Sequence, residues 1–230
     1  EMGAIINLDD IPHLKTLERV IGHLPKTLCF RFNPGPEREG NVIIGNPVEA
    51  KYGLTREQLY EAYCYAKEKG VKHFGLHTMV ASNELDSSYI VLTAKMIFDL
   101  AITLKDKLDI DLDFVDFGGG VGIPYKEEDE KISFKKLGLE IKALYEERKL
   151  TIPTITFEMG RAITGPFGYL VTKVRQVCHK YKDYVGVDAC MADLMRPALY
   201  GAYHHITVLK KENSAKDHVY DVTGSLCENN

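Results

Sequence analysis

The sequence predicts an α/β fold, a parallel sheet with crossover helices followed by a β-rich segment. Three observations carry this. Five short apolar runs alternate with four helical patterns. The residues with chemical potential follow the apolar runs, where α/β sheets and (β/α)8 barrels place their sites. After about residue 165 the rhythm changes, and strand-like runs follow with no long helices between most of them. The expected division is therefore 1–165 and 166–230.

The first run, Ala4–Leu8, precedes Asp9-Asp10 and a helical pattern through Leu14, Leu17 and Val20. Leu28–Phe32 reads as a second strand, stopped by Asn33-Pro34-Gly35-Pro36, and residues 35–50 read as loop. Thr55 with Gln58 forms a capping box for a helix to Lys69, and Gly70 stands where it should stop. Phe74–Val80 is the third strand. A helix from Ser87 to Lys107 carries Ile90, Ala94, Ile97 and Ala101 on one face. Asp113–Phe117 runs directly into Gly118-Gly119-Gly120, a helix follows Ser133, and Thr154–Phe157 ends in Glu158-Met159-Gly160-Arg161. In the second segment Tyr169–Gln176, Tyr184–Val187, His205–Lys210 and His218–Val222 read as strands.

Composition is that of a globular chain. Of 230 residues, 45% are hydrophobic and 27% charged, and 29 basic against 33 acidic residues give a net charge of −4. This disfavours disorder and a nucleic-acid partner. No apolar run approaches the roughly 18 residues of a membrane span, and the start has no signal-peptide pattern. Five scattered cysteines with no CxxC or Cys/His ligand spacing suggest free thiols in a reducing, cytoplasmic setting, with no metal expected.

Two loops at consecutive strand ends suit an anion. The glycines of 118–120 offer backbone N–H groups, and Gly160-Arg161 adds close approach and a guanidinium. Each also has an ordinary reading, as a tight turn and as a surface Glu/Arg pair. His77 and Met79, two apart on one strand, would face the same way. Ser82 is placed to donate to a phosphate or to form a turn. Arg196, with Tyr200 four residues on, suits a carboxylate or is an ordinary surface arginine. His204 and His205 would point to opposite faces and share no ion. Cys227-Glu228 pairs a thiol with a carboxylate.

Taken together, these segments resemble the fold-type III pyridoxal-phosphate-dependent decarboxylases, most closely the diaminopimelate decarboxylase branch. The matching stretches are Phe30–Pro34, Lys51–Leu54, Gly75–His77, Asp116–Tyr125, Glu158–Arg161, Asp188 with Met191, Met195–Tyr200, Tyr203–His205 and Gly224–Glu228. The resemblance implies a (β/α)8 TIM barrel of the alanine racemase/decarboxylase type, here only about strands 4–8, followed by part of a β-rich C-terminal domain. It implies pyridoxal 5'-phosphate as cofactor, an amino-acid substrate and a homodimer with shared active sites. Gly119, Gly120, Gly160, Arg161 and Ser82 would hold the phosphate, with His77 near the ring. Glu158 would face the pyridine nitrogen. Arg161, Arg196 and Tyr200 would bind the far end of the substrate. Cys227 would be the acid that protonates the carbanion, and Glu228 would bind substrate, both reaching the partner's site.

The chain departs from the family at three places. The second histidine of the usual His-x-His-x-Gly-Ser is Met79, and the usual Glu-Pro-Gly-Arg carries Met159. No segment matches the one bearing the lysine that holds the cofactor covalently. The resemblance thus implies a fragment, inactive and poorly soluble alone. Competing readings are a carboxynorspermidine, ornithine or arginine decarboxylase, and a non-catalytic homologue that binds a partner.

Overall fold

The computed structural model describes residues 3–40 and 44–227. The chain divides into two units, residues 1–123 with 130–166, and residues 124–129 with 167–230.

The first unit is built of β1 (Ile6–Leu8), α1 (Ile11–Ile21), β2 (Thr27–Arg31), α2 (Arg56–Glu68), β3 (His73–His77), α3 (Ser87–Leu108), β4 (Leu112–Asp116), α4 (Phe134–Glu147), β5 (Thr154–Thr156) and the short α5 (Gly160–Thr164). The five strands lie in sequence order and every pairing is parallel. Local chemistry sets the helix ends. Asp10 accepts from the Ile11 N–H at the start of α1, and Gly22 ends it at φ 78°. The Thr55/Gln58 capping box is complete on α2. Asp86 and Ser133 cap α3 and α4.

Period-two alternation sorts the strands' side chains. Leu28 and Phe30 of β2, Phe74 and Leu76 of β3, and Leu112 and Val115 of β4 enter the core beneath the helices. There they meet Leu59, Tyr63 and Ala66 of α2 and Ala94, Ile97 and Phe98 of α3. By length and composition α3 could cross a bilayer, but its apolar face is buried in this core.

The opposite face carries Cys29 and Arg31, Gly75 and His77, and Phe114 and Asp116, aligned in register. A bulge at Asp113 makes that alignment possible. The register shifts between Phe74 and Gly75, and the Asp113 carboxylate accepts the Phe74 N–H at 3.0 Å. The Phe114 ring then fills the space above Gly75, where a β-carbon would lie 2.0 Å from it.

Several sequence expectations are corrected. The third strand ends at His77, not Val80, so Met79 lies beyond it and shares no strand face with His77. The ladder stops because β2 ends there: the Phe32 N–H bonds the His77 carbonyl, and the Asn33 N–H turns away to Leu54. Val20 is 71% exposed, outside the apolar stripe of α1. The 35–50 loop contains 3-10 turns at Gly35–Glu37 and Pro47–Glu49.

The described sheet ends at β1 and β5. All three residues of β5 are exposed. Beside β5 an apolar groove of about 710 Å³ is lined by residues including Leu137, Ile141, Tyr145, Ile155 and Phe157.

The second unit has β6 (Val174–His179) antiparallel to β7 (Asp183–Val187), which pairs in parallel with β8 (Asp221–Thr223), and the five-residue α6 (Arg196–Tyr200). The strand expected at Tyr169–Gln176 starts only at Val174, and that expected at His218–Val222 is reduced to Asp221–Thr223. His205–Lys210 forms no strand. Both edges of β7 are occupied, and Ile206, Val208 and Leu209 stand exposed with nothing to bury them.

Candidate cofactor and active site

The first unit places an ionisable side chain at the C-terminal end of each of three consecutive strands. The last residues of β2, β3 and β4 are Arg31, His77 and Asp116, in register across the sheet. Glu158 follows β5. One donor atom from each of His77, Asp116 and Glu158 lies within 4.8 Å of the others. No sequence spacing reveals that cluster, because its members come from three separate βα units.

The electrostatics follow from burial and proximity. His77 is 5% exposed. Burial, and secondarily the Arg31 charge, hold its pKa down at about 4, so it is neutral near pH 7. Its Nε2 stands 3.8 Å from a Glu158 carboxylate oxygen, too far for a hydrogen bond and not an ion pair with a neutral ring. Burial raises the Asp116 pKa, opposed by the hydrogen bond from the Gly118 N–H. Burial and then the Asp116 charge raise that of Glu158, while Arg31 pulls it down. Burial likewise raises the Cys29 thiol, so it stays protonated and inert.

This pattern sets a pH dependence. His77 has a folded pKa of about 4 against an ordinary histidine value of 6.5. As pH falls from about 6.5 to 4 the unfolded chain takes up a proton that the folded chain refuses, so stability is lost, on the order of 3 kcal/mol. Asp116 and Glu158, with raised values, act in the opposite sense and lose stability as pH rises through them. Urea unfolding of the wild type and of His77→Gln at matched pH isolates the histidine. The wild-type advantage is expected to shrink by about 3 kcal/mol between pH 7 and pH 4. A constant difference would show that the ring is not held neutral.

The two glycine loops are stitched together. The Glu158 N–H donates to the Gly118 carbonyl at 2.9 Å, and a β-carbon on Gly119 would lie 2.9 Å from the Glu158 carbonyl. Gly120, at φ 106°, presses on the Ala81 backbone next to Ser82. Arg161, from the first turn of α5, reaches Ser82 with Nη2 3.4 Å from Oγ. Gly160 has open space where a β-carbon would project. Among the described residues the N–H groups of Gly119 and Gly120 make no hydrogen bond. One region therefore holds two available amide donors, a hydroxyl and a guanidinium, which suits a phosphate. Beyond it a carboxylate, its pKa raised by its surroundings, suits a protonated ring nitrogen. The residues present fit pyridoxal phosphate at both ends.

The structure thus brings Ser82, Gly119, Gly120, Glu158, Gly160 and Arg161 into one loop cluster, with His77 beneath Glu158. Arg196, Tyr200 and Cys227 belong to the second unit. There Arg196 donates to His204 Nε2 at 2.9 Å and approaches the Tyr125 hydroxyl at 3.4 Å. Tyr200 and Cys227 are exposed, and Glu228 lies outside the described residues. Arg31, Asp116 and Asn7 had no assigned role in the sequence reading. The legible signal was an ionisable residue closing each of three consecutive apolar strands.

The chain is similar to proteins of known family along its whole length. Protein TabA of Pseudomonas amygdali pv. tabaci is 35% identical over the whole chain and 54% of its own length. The diaminopimelate decarboxylase of Methanothermobacter thermautotrophicus is 32% identical over 99% of the chain and 54% of its own length. The crystal structure of diaminopimelate decarboxylase from M. jannaschii in complex with L-lysine superposes with a TM-score of 0.81 at 29% identity, over 98% of this chain and 53% of that one. The chain spans about half the length of the relatives it matches. Residues 2–165 match the family model of the pyridoxal-dependent decarboxylase, pyridoxal binding domain, and the chain belongs to that family.

Proposed function

We propose that this chain forms the phosphate- and nitrogen-binding part of a cytoplasmic, homodimeric enzyme that decarboxylates meso-2,6-diaminopimelate to L-lysine and CO2. The observation that carries the reading is the joined loop cluster, an anion cradle at Gly119, Gly120, Ser82 and Arg161 adjoining the Glu158 carboxylate. Pyridoxal phosphate, when bound, supplies an electron sink for the bond to the departing carboxylate.

The chain's residues make that sink usable. The amides of Gly119 and Gly120, with Ser82 and Arg161, fix the phosphate and so the ring's position. Glu158 holds a proton at the ring nitrogen, since a carboxylate whose pKa is raised by partial desolvation and by the Asp116 charge favours a cation opposite it. Arg196, oriented by His204 and Tyr125, offers a cation to a distal carboxylate, with Tyr200 at the other end of the same short helix. Cys227 delivers a proton to the substrate carbon and Glu228 binds substrate, each in the partner's site.

Turnover by the full-length protein tests the substrate. Diaminopimelate is expected to be decarboxylated, and ornithine, whose far end is a cation, is expected to be a poor substrate. Arg196→Ala should raise the KM for diaminopimelate on the order of 10-fold or more, as loss of a charged hydrogen bond of about 1.5–3 kcal/mol requires. Preferential ornithine turnover would assign the protein to the other branch. Absence of any turnover, despite bound cofactor, would favour the non-catalytic reading that Met79 suggests.

A further inference from the structure

We infer that Asn7 fixes the tautomer of His77, so that His77 presents a permanent N–H donor, at Nε2, to the Glu158 carboxylate. Asn7 lies on β1 and His77 closes β3. The Asn7 side-chain nitrogen stands 2.8 Å from His77 Nδ1. An amide nitrogen only donates, so Nδ1 must carry its lone pair. A neutral imidazole has one N–H, which then sits on Nε2. That atom is buried and makes no hydrogen bond among the described residues. It faces a Glu158 oxygen at 3.8 Å, so a small side-chain adjustment turns an unsatisfied donor into a hydrogen bond.

The surroundings keep the ring a donor rather than a proton carrier. Asp116 on β4 and Glu158 after β5 favour the charged ring, whereas burial and Arg31 on β2 oppose it. The Cys29 thiol of β2 stays protonated. A neutral donor adds no charge yet stabilises an ionised carboxylate. His77 is thereby a positioning residue, holding Glu158 ionised and aimed against the upward push of burial and Asp116. The functional consequence rests on Glu158 facing the ring nitrogen, but the tautomer itself does not.

Nitrogen-15 spectra of the imidazoles in the 230-residue chain without cofactor test this. The expected wild-type result is a protonated Nε2 and an unprotonated Nδ1 for His77. Asn7→Asp should place a proton on Nδ1 and raise the His77 pKa by about one unit or more, because an anion now faces the ring. His77→Leu should raise the Glu158 carboxyl pKa, read from its carbon-13 shift, and His77→Gln, which keeps an N–H donor, should restore it. An Nδ1–H tautomer in the wild type overturns the inference, as does a Glu158 titration indifferent to His77→Leu. Failure of pyridoxal phosphate to bind, with the expected tautomer intact, would instead count against the cofactor reading alone.

Discussion

Replacing Gly118 with alanine is expected to destabilise the first unit by about 2–5 kcal/mol, the sum of a left-handed backbone penalty and of overpacking. Gly118 sits at φ 70°, and a β-carbon there would lie 2.2 Å from the Thr78 carbonyl oxygen. That neighbour is backbone and cannot swing away. The Gly118 carbonyl also accepts the Glu158 N–H, so any displacement moves the second loop with it. Urea unfolding measures the loss, and cofactor affinity should fall with it. Gly160→Ala is the contrast. Gly160 lies at the start of α5 with nothing within 4 Å of its would-be β-carbon. Its stability should be unchanged while phosphate affinity falls, because the added methyl enters the space the ligand would use. Equal destabilisation by both substitutions would show that the loops serve packing alone.

If the proposed decarboxylation holds, Glu158→Gln is expected to lower its kcat on the order of 10²-fold, the scale at which a positioned proton contributes. Glutamine matches the side chain in shape, so the loop contacts made through the Glu158 backbone survive. What it loses is the negative charge that would keep a ring nitrogen protonated. The carboxyl carries Asp116 beside it and a raised pKa, so a cation opposite relieves the repulsion. The absorbance of the bound cofactor should change in parallel, and KM should move little. Unchanged kcat in Glu158→Gln would remove the carboxylate from the chemistry.

Most of the first unit was legible in the sequence because its signals are local. The Thr55/Gln58 box, the Asp113–Gly120 strand-and-turn and the Ser133 cap each act within a few residues, and each element formed where expected. The error at Met79 has a non-local cause. Phe74–Val80 is mostly apolar and carries no turn signal, but a strand lasts only as long as its neighbour, and β2 stops at Arg31. The same holds for His205–Lys210, whose alternation finds no surface to cover. Within the site, glycines and Arg161 were readable as anion ligands because their chemistry is carried by residue type. The Asn7–His77–Glu158 alignment was not, because it depends on the register of three strands and a bulge at Asp113 that shifts β4 by one residue.

The most direct test of the central claim is a titration of the 230-residue chain with pyridoxal phosphate, followed by fluorescence and competed with inorganic phosphate. The expected result is saturable binding that phosphate displaces, weakened roughly 10-fold or more by Arg161→Ala, in line with loss of a charge-assisted contact of about 1.5–3 kcal/mol. Binding that is non-saturable, or indifferent to Arg161→Ala in a chain that remains folded, would contradict the assignment of the joined loops as the cofactor cradle.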